Sequence, residues 1–214
     1  NIGGHPLESV QNMRDLGVLF DCKLHFNAHV EQVVSRAYGM LGFILRTTKH
    51  FKQMQTYRTL YTALVRSQLE HAVAIWYPHY ATHSDLIDRI QKRYVKTLQF
   101  RFNTPKLTYT DAISKLKYST LHSRHMELDA VVLYNVCHSR YDCADIIGLL
   151  QFRVPERATR SSALFHLPTA RTNAGVRAPM YRLCDNYNNV FHSIDIFASS
   201  SSQYKRSVNK ILLT

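Results

Sequence analysis

The chain has 214 residues, of which 45% are hydrophobic and 20% are charged, a composition that excludes intrinsic disorder and allows one sizeable domain or two small ones. Lysine and arginine number 27 against 15 acidic residues, so the formal net charge is +12 and the pI is about 9.7. Such a balance is typical of proteins that bind phosphate-rich partners, although a merely basic surface or, more weakly, an anionic membrane surface would also fit.

The cysteines do not form a recognisable framework. None of Cys22, Cys137, Cys143 and Cys184 belongs to a C-x-x-C pair, so neither a zinc site nor a secreted disulfide scaffold is predicted. No signal peptide and no apolar run of membrane-spanning length is visible. We therefore expect an intracellular protein, in the nucleus or the cytoplasm, without a membrane partner. Because the chain begins in mid-pattern and without methionine, we expect it to be part of something longer.

The first predicted element is a β segment within residues 1–26. In MRDLGVLFD, Leu16, Val18 and Phe20 alternate with residues that are themselves glycine or leucine. Both faces are then apolar, as in a strand that is buried on both sides. The preceding NIGGHPLESV contains turn residues and is the predicted hairpin partner. Because two strands are not stable alone, we expect their sheet neighbours to be missing.

A helical period follows and predicts a bundle over residues 27–104. The first helix, capped by Asn27, carries one apolar stripe, which consists of Val30, Val33, Val34, Ala37, Leu41, Ile44 and Leu45. The second helix is predicted from about Gln53 to Trp76 and ends before Pro78, because the residue before a proline is pushed out of the helical region. Its predicted buried face consists of Tyr57, Tyr61, Leu64, Val65, Gln68, Ala72 and Ile75.

The third helix carries the main candidate binding residues. It is predicted to begin near Ser84 as its cap, with Asp85 in its first turn. The inward face is predicted to consist of Ile87, Ile90, Tyr94 and Leu98. The opposite face is a basic row that consists of Arg89, Lys92, Arg93 and Lys96. Such a row is as easily a solvated surface as a phosphate-contacting one.

The region 105–214 is predicted to be helical and rich in arginine. A short helix over Asp111–Leu116 precedes a longer one, whose buried candidates are Leu121, Leu128, Val131, Val132 and Asn135. Residues 151–183 contain six arginines and no lysine, a choice that suits bidentate phosphate or carboxylate contacts. Capping of carbonyls and ion pairing by these arginines is an equal alternative. Two final helices are predicted over Tyr181–Phe191 and Ser202–Leu213.

No catalytic or metal site is predicted. The sequence contains no phosphate-cradling glycine motif, no G-x-S-x-G elbow and no adjacent pair of aspartates. Pairs of histidines occur at ligand-like spacings, namely His25 with His29, His79 with His83, and His122 with His125. No convergent third ligand is evident, so surface or core-edge histidines are the better interpretation.

Four stretches, in order along the chain, resemble LINE-type (non-LTR) retrotransposon reverse transcriptases, especially jockey-like elements. The first stretch resembles the segment just after the catalytic palm, and its matching residues are Arg14, Leu16, Gly17, Val18, Asp21, Leu24, Phe26 and His29. The second resembles the thumb motif and matches at Leu69, Glu70, Ala72, Trp76 and Pro78, with His71 in place of the usual tyrosine. The third matches at Ile90, Gln91, Lys92 and Arg93, and the fourth at Arg171, Thr172, Pro179, Arg182 and Asn186.

This resemblance implies a mainly α fold, a helical thumb-type bundle with a short N-terminal β-hairpin left over from a truncated palm. The family's palm carries an Asp-Asp motif that this chain lacks, so the chain alone is expected to be inactive and to need no cofactor. The parent polymerase would use Mg²⁺. The implied partners are an RNA–DNA or RNA duplex and the missing fingers and palm of the same polymerase.

A polymerase thumb holds its duplex through the backbone, which lysine and arginine contact without reading sequence. The nucleic-acid-binding candidates are the basic row Arg89, Lys92, Arg93 and Lys96, followed by Arg160, Arg171 and Arg177. Gly17, Trp76 and Pro78 are the predicted structural anchors; the lone indole is expected to set the angle between two helices rather than to stack on a base. The alternative is a free-standing domesticated helical module that binds a protein partner through its tyrosine-rich face and has no nucleic-acid role.

Overall fold

A computed structural model describes residues 10–78, 80–105, 107–142, 144–154, 163–172, 175–176 and 178–213. The protein is mainly helical, with a small two-stranded antiparallel sheet near its N-terminus, which confirms the predicted fold class. The chain divides into two compact units, the first through Lys117 and the second from Tyr118 onward. This division follows helix α6 (Tyr109–Lys115), whereas the sequence predicts segments of 1–26, 27–104 and 105–214.

The first unit begins with a hairpin of β1 (Asn12–Asp15) and β2 (Val18–Asp21). Asp15 pairs with Val18, so Leu16 and Gly17 form a two-residue loop. Both loop residues have positive φ, 43° and 89°, as the tight turn between twisted strands requires. The predicted continuous buried strand is therefore wrong, because the chain reverses at Leu16, whose side chain is 88% exposed. The predicted partner strand falls mostly on residues 1–9, which lie outside the described residues.

Helix α1 (Asn27–Thr47) buries the predicted apolar stripe, except that Leu45 is only half-buried. Asn27 does not cap this helix; it is the first helical residue, and no side-chain cap is present. The carboxylate of Asp21 instead holds the backbone just before α1. It accepts hydrogen bonds from the N–H groups of Lys23, His25 and Phe26 at 3.0, 3.1 and 2.7 Å. These bonds lower the pKa of Asp21 in spite of its partial burial.

The second predicted helix is interrupted twice. Helix α2 (Met54–Leu60) continues into a π-helical segment (Tyr61–Arg66) and then into α3 (Ser67–Glu70). Ala72, in a left-handed conformation with φ of 52°, separates α3 from α4 (Val73–Trp76).

The wider π turn shifts which side chains face inward. The buried residues are Tyr57, Tyr61, Val65, Leu69, Val73 and Trp76. Beyond Tyr61 the predicted face is correct only at Val65: Gln68 and Ala72 are half-buried, and Leu64 and Ile75 are 37% and 41% exposed. A π turn holds more residues than an α turn, so an inward stripe that passes through it is displaced along the sequence.

Helix α5 (Ala81–Arg101) completes the core of the first unit with α6. It begins before Ser84, so Ser84 is not its cap and Asp85 lies beyond its first turn. The predicted inward residues Ile87, Ile90, Tyr94 and Leu98 are all buried. Tyr94 stacks on Tyr61 with ring centroids 3.9 Å apart, which joins α5 to the π-helical segment.

The second unit contains α7 (Leu121–Cys137), α8 (Ala144–Gly148), α9 (Pro179–Asn186), a π-helical turn (Tyr187–Phe191) and α10 (Ser201–Leu212). Thr120 caps α7 and Ser200 caps α10 through their side chains. The buried residues of α7 are Leu121, His125, Asp129, Ala130, Leu133, Tyr134 and Val136. Of the predicted buried residues of α7, only Leu121 is therefore correct. The apolar pattern of the sequence does not predict this buried face, because the face contains a histidine and an aspartate.

Candidate nucleic-acid interface

The basic row lies on one exposed face of α5. Arg89, Lys92, Arg93 and Lys96 are all exposed. Their spacing of three and four residues puts them on neighbouring turns, opposite the buried Ile87, Ile90 and Tyr94. At a rise of about 1.5 Å per residue the row is about 10 Å long. The face is thus continuous, positively charged and open.

Two aromatic rings from neighbouring helices lie beneath this row. The ammonium of Lys92 is 5.6 Å from the ring centroid of Tyr109, and the guanidinium of Arg93 is 5.9 Å from that of Tyr38. Tyr109 is fixed in turn, because its hydroxyl donates to the Oε1 of the fully buried Gln91 at 3.1 Å. Cation–π contacts of this length orient a cation without neutralising it.

Arg101, at the end of α5, is not part of the row. Its Nη1 donates to the Tyr57 hydroxyl at 2.7 Å, and its Nη2 donates to the Leu45 carbonyl. The guanidinium also lies over the Tyr57 ring, 5.3 Å from the centroid. It therefore satisfies a carbonyl near the end of α1, one of the groups that a helix terminus leaves without an intrahelical partner.

Only one member of the second predicted group falls on described residues. Arg160 and Arg177 lie outside them. Arg171 is exposed and belongs to the second unit. The neighbouring Thr172 closes a turn, since its carbonyl and hydroxyl both accept from the Gly175 N–H at 3.1 and 3.2 Å. The role of Arg171 stays a prediction.

The hairpin loop is joined to the predicted tryptophan anchor through His71. The Nε2 of His71 donates to the Leu16 carbonyl at 3.1 Å, and the indole N–H of Trp76 donates to the His71 carbonyl at 2.7 Å. A Cβ added to Gly17 would lie 3.3 Å from that Nε2. Together with its φ of 89°, this approach favours glycine at the position.

Trp76 lies at the centre of this junction. Its ring is fully buried and meets His29 edge to face, with centroids 5.1 Å apart. His29 in turn accepts the Leu19 N–H on its Nδ1 at 3.2 Å. Pro78 is also buried, just beyond the end of α4. These contacts are those that a structural anchor needs, and the anchor role stays a prediction.

His29 gives the first unit a predicted pH dependence. Burial, followed by the charges of Arg14, His71 and Arg36, lowers the pKa of His29 to about 4. Between pH 6.5 and about 4 the unfolded chain binds a proton that the folded chain does not, so stability is lost as the pH falls through this range, by about 3 kcal/mol at most. We expect urea unfolding followed by Trp76 fluorescence to show this loss.

The matched variant is His29→Gln, which keeps an acceptor but cannot titrate. Its stability should fall less than that of the wild type between pH 6.5 and about 4. Identical pH profiles for the two proteins would contradict the assignment.

The second unit contains a buried ionic cluster that sequence reasoning missed. Asp129 is 1% exposed. It accepts from Arg182 Nε and Nη2 at 3.0 and 3.3 Å, and from Asn186 Nδ2 at 3.3 Å. Burial raises the pKa of Asp129, and Arg182 and Asn186 oppose the shift. Two residues of the fourth resembling stretch therefore converge on one carboxylate.

Several other features bear on what the site can do. Within the described ranges no group of three or more His, Cys, Asp or Glu side chains could hold a metal ion. His29 and His125 are buried, and His79 lies outside the described residues. No helix in the described part of the chain is both long enough and apolar enough to cross a membrane. Tyr57 and Tyr61, on the helix whose tyrosine-rich face would bind a protein partner, are fully buried.

The sequence did not point to the aromatic residues around the basic row. Tyr38 and Tyr109 come from other helices, so no local spacing connects them with α5. Phe100 could have been noticed in the sequence, because it follows Lys96 by four residues and so falls on the same predicted face of α5. In the structure it is 87% exposed. An isolated aromatic on a charged face is the pattern that could have found it.

Comparison with known proteins finds similarity to a nematode protein. The uncharacterized protein B0403.1 of Caenorhabditis elegans is 23% identical over 137 residues, which are 64% of this chain and 69% of that protein. No protein-family model matches the chain. No solved structure matches it either.

Proposed function

We propose that this chain is a non-catalytic, C-terminal part of a LINE-type reverse transcriptase that grips an RNA–DNA duplex by its backbone. The observation that carries the proposal is the basic row, four exposed cations on one face of α5. Its partners would be the template–primer duplex and the fingers and palm of the same polymerase. The four stretches that resemble this family, in order along the chain, support it further.

The row suits a duplex backbone better than a specific sequence. An RNA–DNA duplex is A-like, and its phosphates and 2′-hydroxyls border a wide, shallow minor groove. Lysine and arginine contact such phosphates without reading base edges. The rings of Tyr109 and Tyr38 hold Lys92 and Arg93 above the helix surface, which lowers the conformational entropy lost on binding.

The expected result is binding that depends on salt and not on sequence. Each phosphate contact contributes about −0.9 to the slope of log K against log[salt], so four contacts give a slope between about −3 and −4. The measurement is a fluorescence-anisotropy titration of a labelled RNA–DNA hairpin at several salt concentrations. Duplexes of different sequence should bind with equal affinity. No binding at low salt, or a flat salt dependence, would contradict the proposal.

A further inference from the structure

A cavity of about 610 Å³ lies at the C-terminal end of α5, within the first unit. Its volume is in the range of pockets that hold small organic ligands. The last turns of α5 form one wall, and Leu107 and Tyr109 form another. A second cavity, of about 450 Å³, lies in the second unit.

The walls of this cavity are fixed by hydrogen bonds. The N–H groups of Phe102 and Thr104 bond to the carbonyls of Leu98 and Gln99 at 3.0 and 3.1 Å, which closes the end of α5. On the opposite wall, Tyr109 donates to the buried Gln91. The cavity is therefore formed before any ligand binds.

The lining combines positive charge with an open aromatic ring. Lys92 and Lys96 stand one turn apart on one side. Phe100 follows one turn later and leaves 87% of its surface exposed. An exposed phenyl ring costs free energy in water unless a partner covers it. Gln99 and Asn103 add amide groups that can bond to polar edges.

A ligand that fits must carry negative charge next to a flat aromatic group. A purely apolar ligand would cover Phe100 and leave both lysines without a counter-charge. A simple anion would pair with the lysines and leave the ring exposed. A nucleotide satisfies both features, because its phosphate pairs with ammonium groups and its base stacks on an aromatic side chain.

We propose that this cavity binds an unpaired nucleotide of the strand that continues beyond the gripped duplex, with its base against Phe100 and its phosphate at Lys92 and Lys96. The proposal rests on the proposed function, since these two lysines also belong to the basic row. Phe100 follows Lys96 by about 6 Å along the helix axis, so a strand that leaves the row meets the ring next. Stacking is possible for every base, so the site tolerates any sequence.

The test compares three probes of equal duplex length. One is a blunt RNA–DNA duplex, the second carries a short single-stranded overhang, and the third carries the same overhang with abasic sugars in place of nucleotides. The abasic overhang keeps the phosphates and removes the bases. The wild type should bind the base-bearing overhang roughly 5- to 50-fold more tightly than the abasic one.

Phe100→Ala should abolish this preference and leave binding of the blunt duplex unchanged. The matched control is Phe43→Ala, which removes another exposed phenylalanine (53% exposed, on α1) and should keep the preference. Equal affinities for the two overhangs in the wild type, or a preference that survives Phe100→Ala, would overturn the proposal.

Free single strands, with and without bases, separate the cavity from the proposed function. If the wild type fails to bind the blunt duplex but prefers the base-bearing strand, and Phe100→Ala removes that preference, the duplex grip is wrong and the cavity site stands. If the duplex binds with the expected salt dependence and no preference for bases appears, the cavity site is wrong and the grip stands. Failure to bind every probe overturns both.

Discussion

Replacing Trp76 with alanine is expected to destabilise the first unit by about 3–5 kcal/mol, a large part of the stability of a domain of this size. The indole is fully buried, it donates to the His71 carbonyl, and it packs edge to face on His29. The substitution therefore leaves both a large void and an unsatisfied carbonyl at the junction of hairpin and helices. Urea denaturation followed by far-UV circular dichroism measures the loss, since the variant has no tryptophan fluorescence.

Two further variants separate packing from exposure. Trp76→Phe keeps most of the ring and should cost less than the alanine variant. Phe43→Ala removes an aromatic ring from an exposed position on α1 and should change stability by less than about 0.5 kcal/mol. A Trp76→Ala protein that keeps its stability but loses affinity for nucleic acid would show that the indole stacks on a base instead.

The second large effect is expected at the buried ionic cluster. Arg182→Met should destabilise the second unit by about 3–5 kcal/mol, because it leaves the carboxylate of Asp129 buried without its charged partner. The readout is the protection of α7 amides against hydrogen exchange, together with urea denaturation. Trp76 belongs to the first unit, so its fluorescence is not the readout for this variant.

The double variant Asp129→Leu/Arg182→Met supplies the control. A buried ion pair replaced on both sides by apolar groups of similar size is often nearly neutral. The double variant should therefore regain most of the stability that Arg182→Met loses. A single variant that costs less than about 1 kcal/mol would mean that Asp129 is not ionised in the folded protein.

The sequence was enough to predict that the helices exist, but not which side chains of the second helix face the core. Apolar residues are adjacent at Leu64–Val65 and Ile75–Trp76. The sequence pattern therefore allows either the first or the second residue of each pair to face the core. In the structure, which contains the π-helical segment Tyr61–Arg66, the second residue of each pair, Val65 and Trp76, is buried. The cause lies in tertiary packing, which a local period does not contain.

The candidate site was predictable where it depends on one helix only. The basic row follows from the spacing of charged residues on α5, and all four side chains are exposed as expected. Tyr38, Tyr109 and the cavity beside Phe100 depend on the packing of α1 and α6 against α5. Charge spacing on a single helix cannot reveal those neighbours.

Most residues of the resembling stretches make packing or hydrogen-bond contacts within their own unit. Gly17, His29 and Trp76 meet at the hairpin junction, whereas Arg182 and Asn186 meet at Asp129. Lys92 and Arg93 lie instead on the open face of α5. The proposed duplex grip therefore depends on few motif residues, and those can be changed without disturbing the core.

The most direct measurement compares two variants that each lose four positive charges. One replaces the basic row (Arg89→Gln, Lys92→Gln, Arg93→Gln, Lys96→Gln), and the other replaces exposed cations elsewhere (Lys49→Gln, Lys115→Gln, Lys205→Gln, Arg206→Gln). For an RNA–DNA duplex, the slope of log K against log[salt] should become less negative by about 3 to 4 in the first variant and stay near the wild-type value in the second. Equal changes in the two variants would show that net charge, rather than the face of α5, binds the duplex.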